Sequence, residues 1–250
     1  MKKDGSLLEL KNISSLYKLR MKIIIKSAVL VVPAVSLYVF LRAMYSFIPV
    51  EASGAFLLSG LFLFVLCAYI ASAIQFKEND IQEEILLLHS KSKVNYYISR
   101  ELILYSISIV SALILIIYPM IQLAIHPDLY IKPLESTDVI YGGLIIIGIG
   151  LIGIALGDLF HHRIFEKRRN ALLALLFVSI IAICKHAIIK KFAFLSVLNF
   201  IVPPLMDGFD MVGETDVFDP VGTIYIFIHT LIFVIAIVLI KIGILKFKKY

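Results

Sequence analysis

Charge is scarce in this chain. Asp, Glu, Lys and Arg make up 17% of its 250 residues, where an ordinary soluble domain carries about a quarter. Tryptophan is absent, and cysteine is limited to Cys67 and Cys184. Both cysteines sit inside apolar runs with no partner nearby in sequence. That excludes a disulfide scaffold or a zinc framework and leaves core packing as their role. Motifs that carry chemistry are equally sparse. No G-x-x-x-x-G-K-[ST] run occurs, so the chain is not expected to hydrolyse ATP or to bind a cofactor directly. H-E-x-x-H and G-x-S are missing. Glu83-Glu84 is followed by Leu88 where a Glu-Glu-x-x-x-Arg metalloprotease pattern needs arginine. Adjacent His161 and His162 lack a third ligand. Catalytic, metal-binding and cofactor-binding residues are therefore not expected.

What fills the chain is apolar. Hydrophobic residues make up 60%, and the mean hydropathy is +0.97. This composition excludes disorder and most soluble enzymes. A membrane span needs roughly 20 mostly apolar residues, so a chain of this length holds about six with short loops. Charge-poor runs place them at about 27–47, 52–76, 102–125, 139–157, 170–189 and 220–240. The expected fold is an all-α polytopic membrane domain over 1–250. A further apolar run, Phe192–Met206, contains Asn199 and Pro203-Pro204. It is short for a span and reads as a re-entrant or interfacial segment before the last one.

The net charge of +6 comes from basic residues that flank the apolar runs. That pattern serves orientation in a membrane and not nucleic-acid binding. Most of the 24 basic residues fall before span one, in 77–101, in 158–169 and after span six. The positive-inside rule then puts both termini in the cytoplasm. Residues 1–26 read as an amphipathic helix on the inner leaflet, with Leu7, Leu10, Ile13 and Tyr17 on its apolar face. The loop 77–101 opens acidic and continues into a short apolar helix in which Ile81, Ile85 and Leu88 share a face. A half-apolar cytoplasmic helix with Glu83 and Glu84 in its first turn fits a protein partner better than an anionic leaflet.

Two further patterns stand out. Gly148-x-Gly150-x-x-Gly153 formally matches a dinucleotide fingerprint, but it lies mid-span with no preceding strand. Gly153-x-x-x-Gly157 gives these glycines a better use, a close helix–helix contact along 143–157 that includes Gly150. On the outer side Asp207, Asp210, Glu214, Asp216 and Asp219 cluster without the Asp-x-Asp-x-Asp-Gly calcium spacing. They form either a solvated loop or a patch that attracts a departing cationic substrate. Within the spans only His229 stands out clearly as ionisable, with Lys185 nearer an edge, so no charged site is expected in the bilayer.

The layout resembles the membrane subunit of type-2 ATP-binding-cassette exporters. The segment from Glu83 to Tyr97 is similar to that family's coupling region. There, acidic residues precede a leucine-rich turn, a Ser/Pro segment and an aromatic return into span three; Lys91 stands where proline is usual. The resemblance implies that Glu83, Glu84, Ile85, Leu86, Leu87 and Leu88 contact a separate cytoplasmic ATPase, present in two copies, which holds the ATP and Mg. It also implies a second membrane subunit, identical in the simplest case, with spans one, two and five at the seam and route. The Lys/Ile-rich, Trp-free composition is similar to subunits of low-GC Gram-positive bacteria. Among them, the phenol-soluble-modulin and antimicrobial-peptide exporters suggest an amphipathic peptide substrate. The expected location is the bacterial plasma membrane. Two other classes share this topology: a membrane immunity or sensor protein without transport, and an intramembrane enzyme, which every motif above disfavours.

Overall fold

A computed structural model describes residues 2–77, 80–90, 92–160, 165, 167–192, 194, 202–207 and 218–247, the backbone alone at 2–11, 80–82, 89, 168, 186, 246 and 247. Eight α-helices carry these residues: α1 (Lys2–Lys26), α2 (Val31–Met44), α3 (Ala52–Lys77), α4 (Asp80–His89), α5 (Lys93–Ile125), α6 (Ser136–Leu159), α7 (Arg168–Lys191) and α8 (Pro220–Phe247). A single 3-10 turn, Ala28–Leu30, joins α1 to α2. Among the described residues no strand forms. One parallel bridge, Val50 with Tyr130, ties the α2–α3 loop to the α5–α6 loop.

The helix ends follow from local chemistry. Ser92 caps α5, its hydroxyl accepting from the Val94 amide at 3.2 Å. Glu135 and Asp138 form a reciprocal capping box at the start of α6. Asp219 caps α8 by accepting from the amides of Val221 and Gly222 at 3.2 and 3.0 Å. Ser27 separates α1 from the turn. Its amide returns to the carbonyls of Ile23 and Ile24 at 3.0 Å, and its own backbone is extended.

Among the described residues α3, α5, α6 and α8 are long and apolar enough to cross a membrane. The bent α1–α2 pair, whose axis turns by 66°, would make a fifth. The six expected spans are not reached on this measure. Expected span one begins at the bend and is short: α2 alone has 14 residues, about 21 Å against a hydrocarbon core of about 30 Å. Expected span five lies inside α7, a 24-residue helix. Most of the expected re-entrant segment lies outside the described residues, but Val202, Pro203, Pro204 and Leu205 are buried.

α6 is the central helix. It packs most extensively on α3, then on α8 and α5. Its apolar window is 72% buried, against 28% in α8. The α8 side chains that remain outside, such as Ile228, Ile232 and Leu239, are bulky and apolar. The same holds for α2 and α7. A soluble protein hides such faces, whereas a membrane protein presents them to lipid or to a second subunit. α1 leaves the elbow at Ser27 and crosses α5, where the Tyr17 hydroxyl donates to Ser106 Oγ at 3.2 Å.

Candidate functional site

The 33 residues of α5 span about 50 Å at 1.5 Å per residue, well beyond a hydrocarbon core. Its first two turns therefore extend past the other apolar runs and form a platform. α4 rests on it. Tyr96 and Tyr97 of α5 and Leu245 of α8 make a small buried cluster, and Leu86 and Leu87 of α4 pack against it. The two tyrosine rings meet edge to face at 5.2 Å. Arg20 of α1 is buried, its guanidinium 4.1 Å from the centre of the Tyr96 ring.

This docking sorts the expected partner-binding residues into two faces. Glu83, Leu86 and Leu87 turn toward the bundle, and Glu83 is fully buried. Glu84 and Leu88 face away, with Leu88 84% exposed, and half-exposed Ile85 lies at the margin between the two faces. The ten-residue helix is thus held on one side and open on the other, and three of the six named residues are turned from any external partner.

One turn along α5 and α8 from that cluster lies a group of charges. Arg100 Nη2 donates to Asp158 Oδ1 at 2.9 Å. Lys241 Nζ donates to Glu101 Oε1 at 2.6 Å and also to Asp158 Oδ2. All four side chains are at most 7% exposed. Among the described residues, two cations and two carboxylates leave the group neutral, as burial demands. Glu101 Oε2 is buried with no hydrogen-bond partner among the described residues, so the group holds one spare acceptor.

All four residues stand immediately beyond the ends of the expected spans, and the finding is that folding brings these ends together. Arg100 and Glu101 were assigned to the loop before span three, Asp158 to the loop after span four, and Lys241 to the tail. Charge ended each predicted span because an isolated charge is costly in lipid. Here each charge is met by another, and the helices run on past it. The signal in the sequence is the apolar pattern that resumes beyond Lys241, in Ile242, Ile244 and Leu245.

Of the α6 glycines, Gly142, Gly150, Gly153 and Gly157 meet α3, Gly143 meets α5 and Gly148 meets α8. A Cβ on Gly153 would stand 2.5 Å from the Phe64 carbonyl oxygen, and one on Gly157 would stand 2.5 Å from that of Ala68. At Gly150 it would meet Leu63 and Ser108 at 2.7 Å. The backbones approach so closely that no side chain fits between them. Ser72 Oγ donates across the seam to the Gly157 carbonyl at 3.3 Å.

At the opposite end of the bundle, Asp207 accepts from the buried Lys185 ammonium at 3.0 Å. Asp219 is the α8 cap. Both acids are thus engaged in contacts within the chain, and Asp210, Glu214 and Asp216 lie outside the described residues. Burial raises the nearby Tyr130 phenol well above its ordinary pKa, and the adjacent Tyr45 adds to this. His229 is half-buried, with its ring stacked on Tyr225 at 6.4 Å. Among the described residues no group of His, Cys, Asp and Glu could hold a metal ion.

No family model, no curated protein and no solved structure matches this chain.

Proposed function

We propose that the chain is the membrane subunit of an exporter of the type-2 ATP-binding-cassette kind, driven by a separate cytoplasmic ATPase. The observation that carries this reading is the two-faced α4. A short helix between two long apolar helices is anchored by Leu86 and Leu87 and leaves Glu84 and Leu88 exposed. An exposed leucine beside a carboxylate is what a protein groove takes, and water or an anionic leaflet is a poor substitute. In this reading the chain crosses the bacterial plasma membrane six times with both termini in the cytoplasm. α4 then lies on the cytoplasmic side, where ATP is.

The anchor gives the movement somewhere to go. Leu86 and Leu87 rest on Tyr96, Tyr97 and Leu245, and each of these lies four residues from a member of the ionic group. Force on the outer face of α4 reaches Arg100, Glu101 and Lys241 through one helical turn of α5 and of α8. Rearrangement of those pairs would shift α5 and α8 against α6. A second copy of the chain would cover the apolar faces of α2 or α7, and the cargo would be an amphipathic peptide leaving along such faces.

Purification of the tagged chain from its native membranes in gentle detergent, with mass spectrometry of what accompanies it, tests this. A P-loop ATPase in stoichiometric amount is expected. It should be lost from the double variant Glu84→Lys, Leu88→Asp while membrane insertion is unchanged. A chain that purifies without any ATPase after mild crosslinking overturns the exporter reading in favour of a non-transporting immunity or sensor role. An ATPase fully retained by the variant overturns the docking on α4.

A further inference from the structure

The α1–α2 elbow, the end of α3, the middle of α4 and the first third of α5 enclose a cavity of about 360 Å³. That size falls within the range of sites that hold small molecules, roughly 300–1,000 Å³. Its lining has two chemistries. Arg20 and Lys77 contribute cationic groups from α1 and α3, Arg100 lines it from α5 with its guanidinium held by Asp158, and Ser27 contributes a hydroxyl. The remainder is branched aliphatic, including Ile74, Ile103 and Leu104. No carboxylate lines it among the described residues.

An apolar void of this volume does not stay empty beside a source of acyl chains, because its walls forfeit dispersion contacts. Water fills it poorly, since aliphatic walls give a water molecule too few partners. The rim is open: Ile23 and Ile85 line the cavity and are each about half exposed. Ile25, Val31 and Val32, on the same elbow, are also exposed. The cavity also lies at the end of α3 where Lys77 closes the apolar run, which is headgroup depth for the leaflet on the α4 side.

We propose that this cavity binds an anionic phospholipid of the leaflet on the α4 side. One acyl chain lies among the isoleucines and the headgroup phosphate sits against Arg20 and Lys77. The cationic wall selects an anion, and arginine suits a phosphate in particular. The apolar part selects a chain-bearing anion over a free one. The inference rests on the membrane orientation proposed above and not on the ATPase. Because Leu86 and the marginal Ile85 of α4 form part of the wall, occupancy also braces the side of that helix turned to the bundle.

The test is native mass spectrometry of the purified chain in a neutral detergent. Phosphatidylglycerol and phosphatidylcholine with identical chains are added in turn, and inorganic phosphate is added alone. Phosphatidylglycerol should be retained in preference, and Lys77→Gln should weaken that retention about fivefold, the usual loss for one lysine near a headgroup. Lys18→Gln removes an exposed α1 cation that does not line the cavity and should leave retention unchanged. Val29→Phe should reduce retention of both lipids by filling the apolar part. Equal retention of the two lipids overturns the proposal. So does an equal loss in Lys18→Gln and Lys77→Gln, which would indicate adsorption by overall charge. Inorganic phosphate that displaces the lipid at millimolar concentration would make the site one for a free anion. None of these outcomes depends on finding an ATPase.

Discussion

Gly157 and Asp158 are neighbours in α6, yet they belong to interfaces of opposite kinds. Gly157 meets α3 with its backbone close to the Ala68 carbonyl, in a seam made by the absence of side chains. Asp158 meets α5 and α8 through Arg100 and Lys241, in a contact made by charge. The seam has one arrangement, because close-packed backbones cannot slide without a clash. The ionic group can re-pair, because Glu101 keeps a spare buried oxygen within the same cluster. α3 and α6 are therefore the pair expected to move together, and the contacts of α5 and α8 are the ones able to re-pair against them. In the proposed exporter, motion that starts at α4 would arrive on the second interface and not on the first.

The sharpest way to break this contrast is at the seam. Gly153→Leu places four carbons where one Cβ already stands 2.5 Å from a main-chain oxygen. The obstacle is backbone, which cannot rotate away, so the cost exceeds the roughly 1–3 kcal/mol of ordinary overpacking. The expected result is loss of monodisperse protein on size exclusion in detergent. A folded variant with an unchanged thermal midpoint would show that α3 and α6 are not in rigid contact.

The second way removes one charge. Lys241→Met leaves Glu101 and Asp158 facing Arg100 alone, with one buried negative charge uncompensated. Such a change costs about 3–5 kcal/mol. Adding Glu101→Gln restores neutrality, so the double variant should recover a large part of that loss, a coupling read from thermal unfolding of the two singles and the double. Additive losses would mean that the pair does not act as a unit. Both effects should be smaller than that of Gly153→Leu, because an apolar or polar replacement can repack whereas a backbone clash cannot.

The two interfaces also differ in how far the sequence announced them. The small residues of α6 are visible as a run from Gly143 to Gly157, and within it the spacing of Gly150, Gly153 and Gly157 marks a helix face directly. What no spacing shows is which helix meets that face, since α3 offers ordinary side chains there, such as Ala68 and Leu63. The ionic group was invisible for a different reason. Reading a membrane sequence means ending spans at charge, and that rule prices each charge as if it stood alone. Arg100, Glu101, Asp158 and Lys241 come from three separated places in the chain and cancel only after folding. The same limit applies to α4. Its composition marked it as a surface helix, but the inward turn of Glu83 depends on Tyr96, Tyr97 and Leu245, which periodicity within α4 cannot reveal. The long apolar helices α3, α5, α6 and α8, by contrast, follow from hydropathy alone. The break at Ser27 follows as well, since the charged stretch ends at Lys26 and the apolar run begins there; the 66° angle between the two helices does not.

Gly243 makes the mildest comparison and the cleanest control. It lies in α8 two residues beyond Lys241, and a Cβ there meets nothing within 4 Å. It is the same residue type as Gly153, in a helix of similar apolarity, with none of the close approach. Gly243→Ala removes a flexible position from a helix interior and introduces no clash. The expected gain is about 0.5–1 kcal/mol, the helix propensity difference alone. It should appear as a small rise in thermal midpoint with no change in oligomeric state. The pair Gly243→Ala and Gly153→Ala then separates the two roles of glycine in one protein, since the first should stabilise and the second should destabilise. A loss of stability in Gly243→Ala would mean that this face of α8 is covered in the assembled protein, and the second membrane subunit would be the first candidate for what covers it.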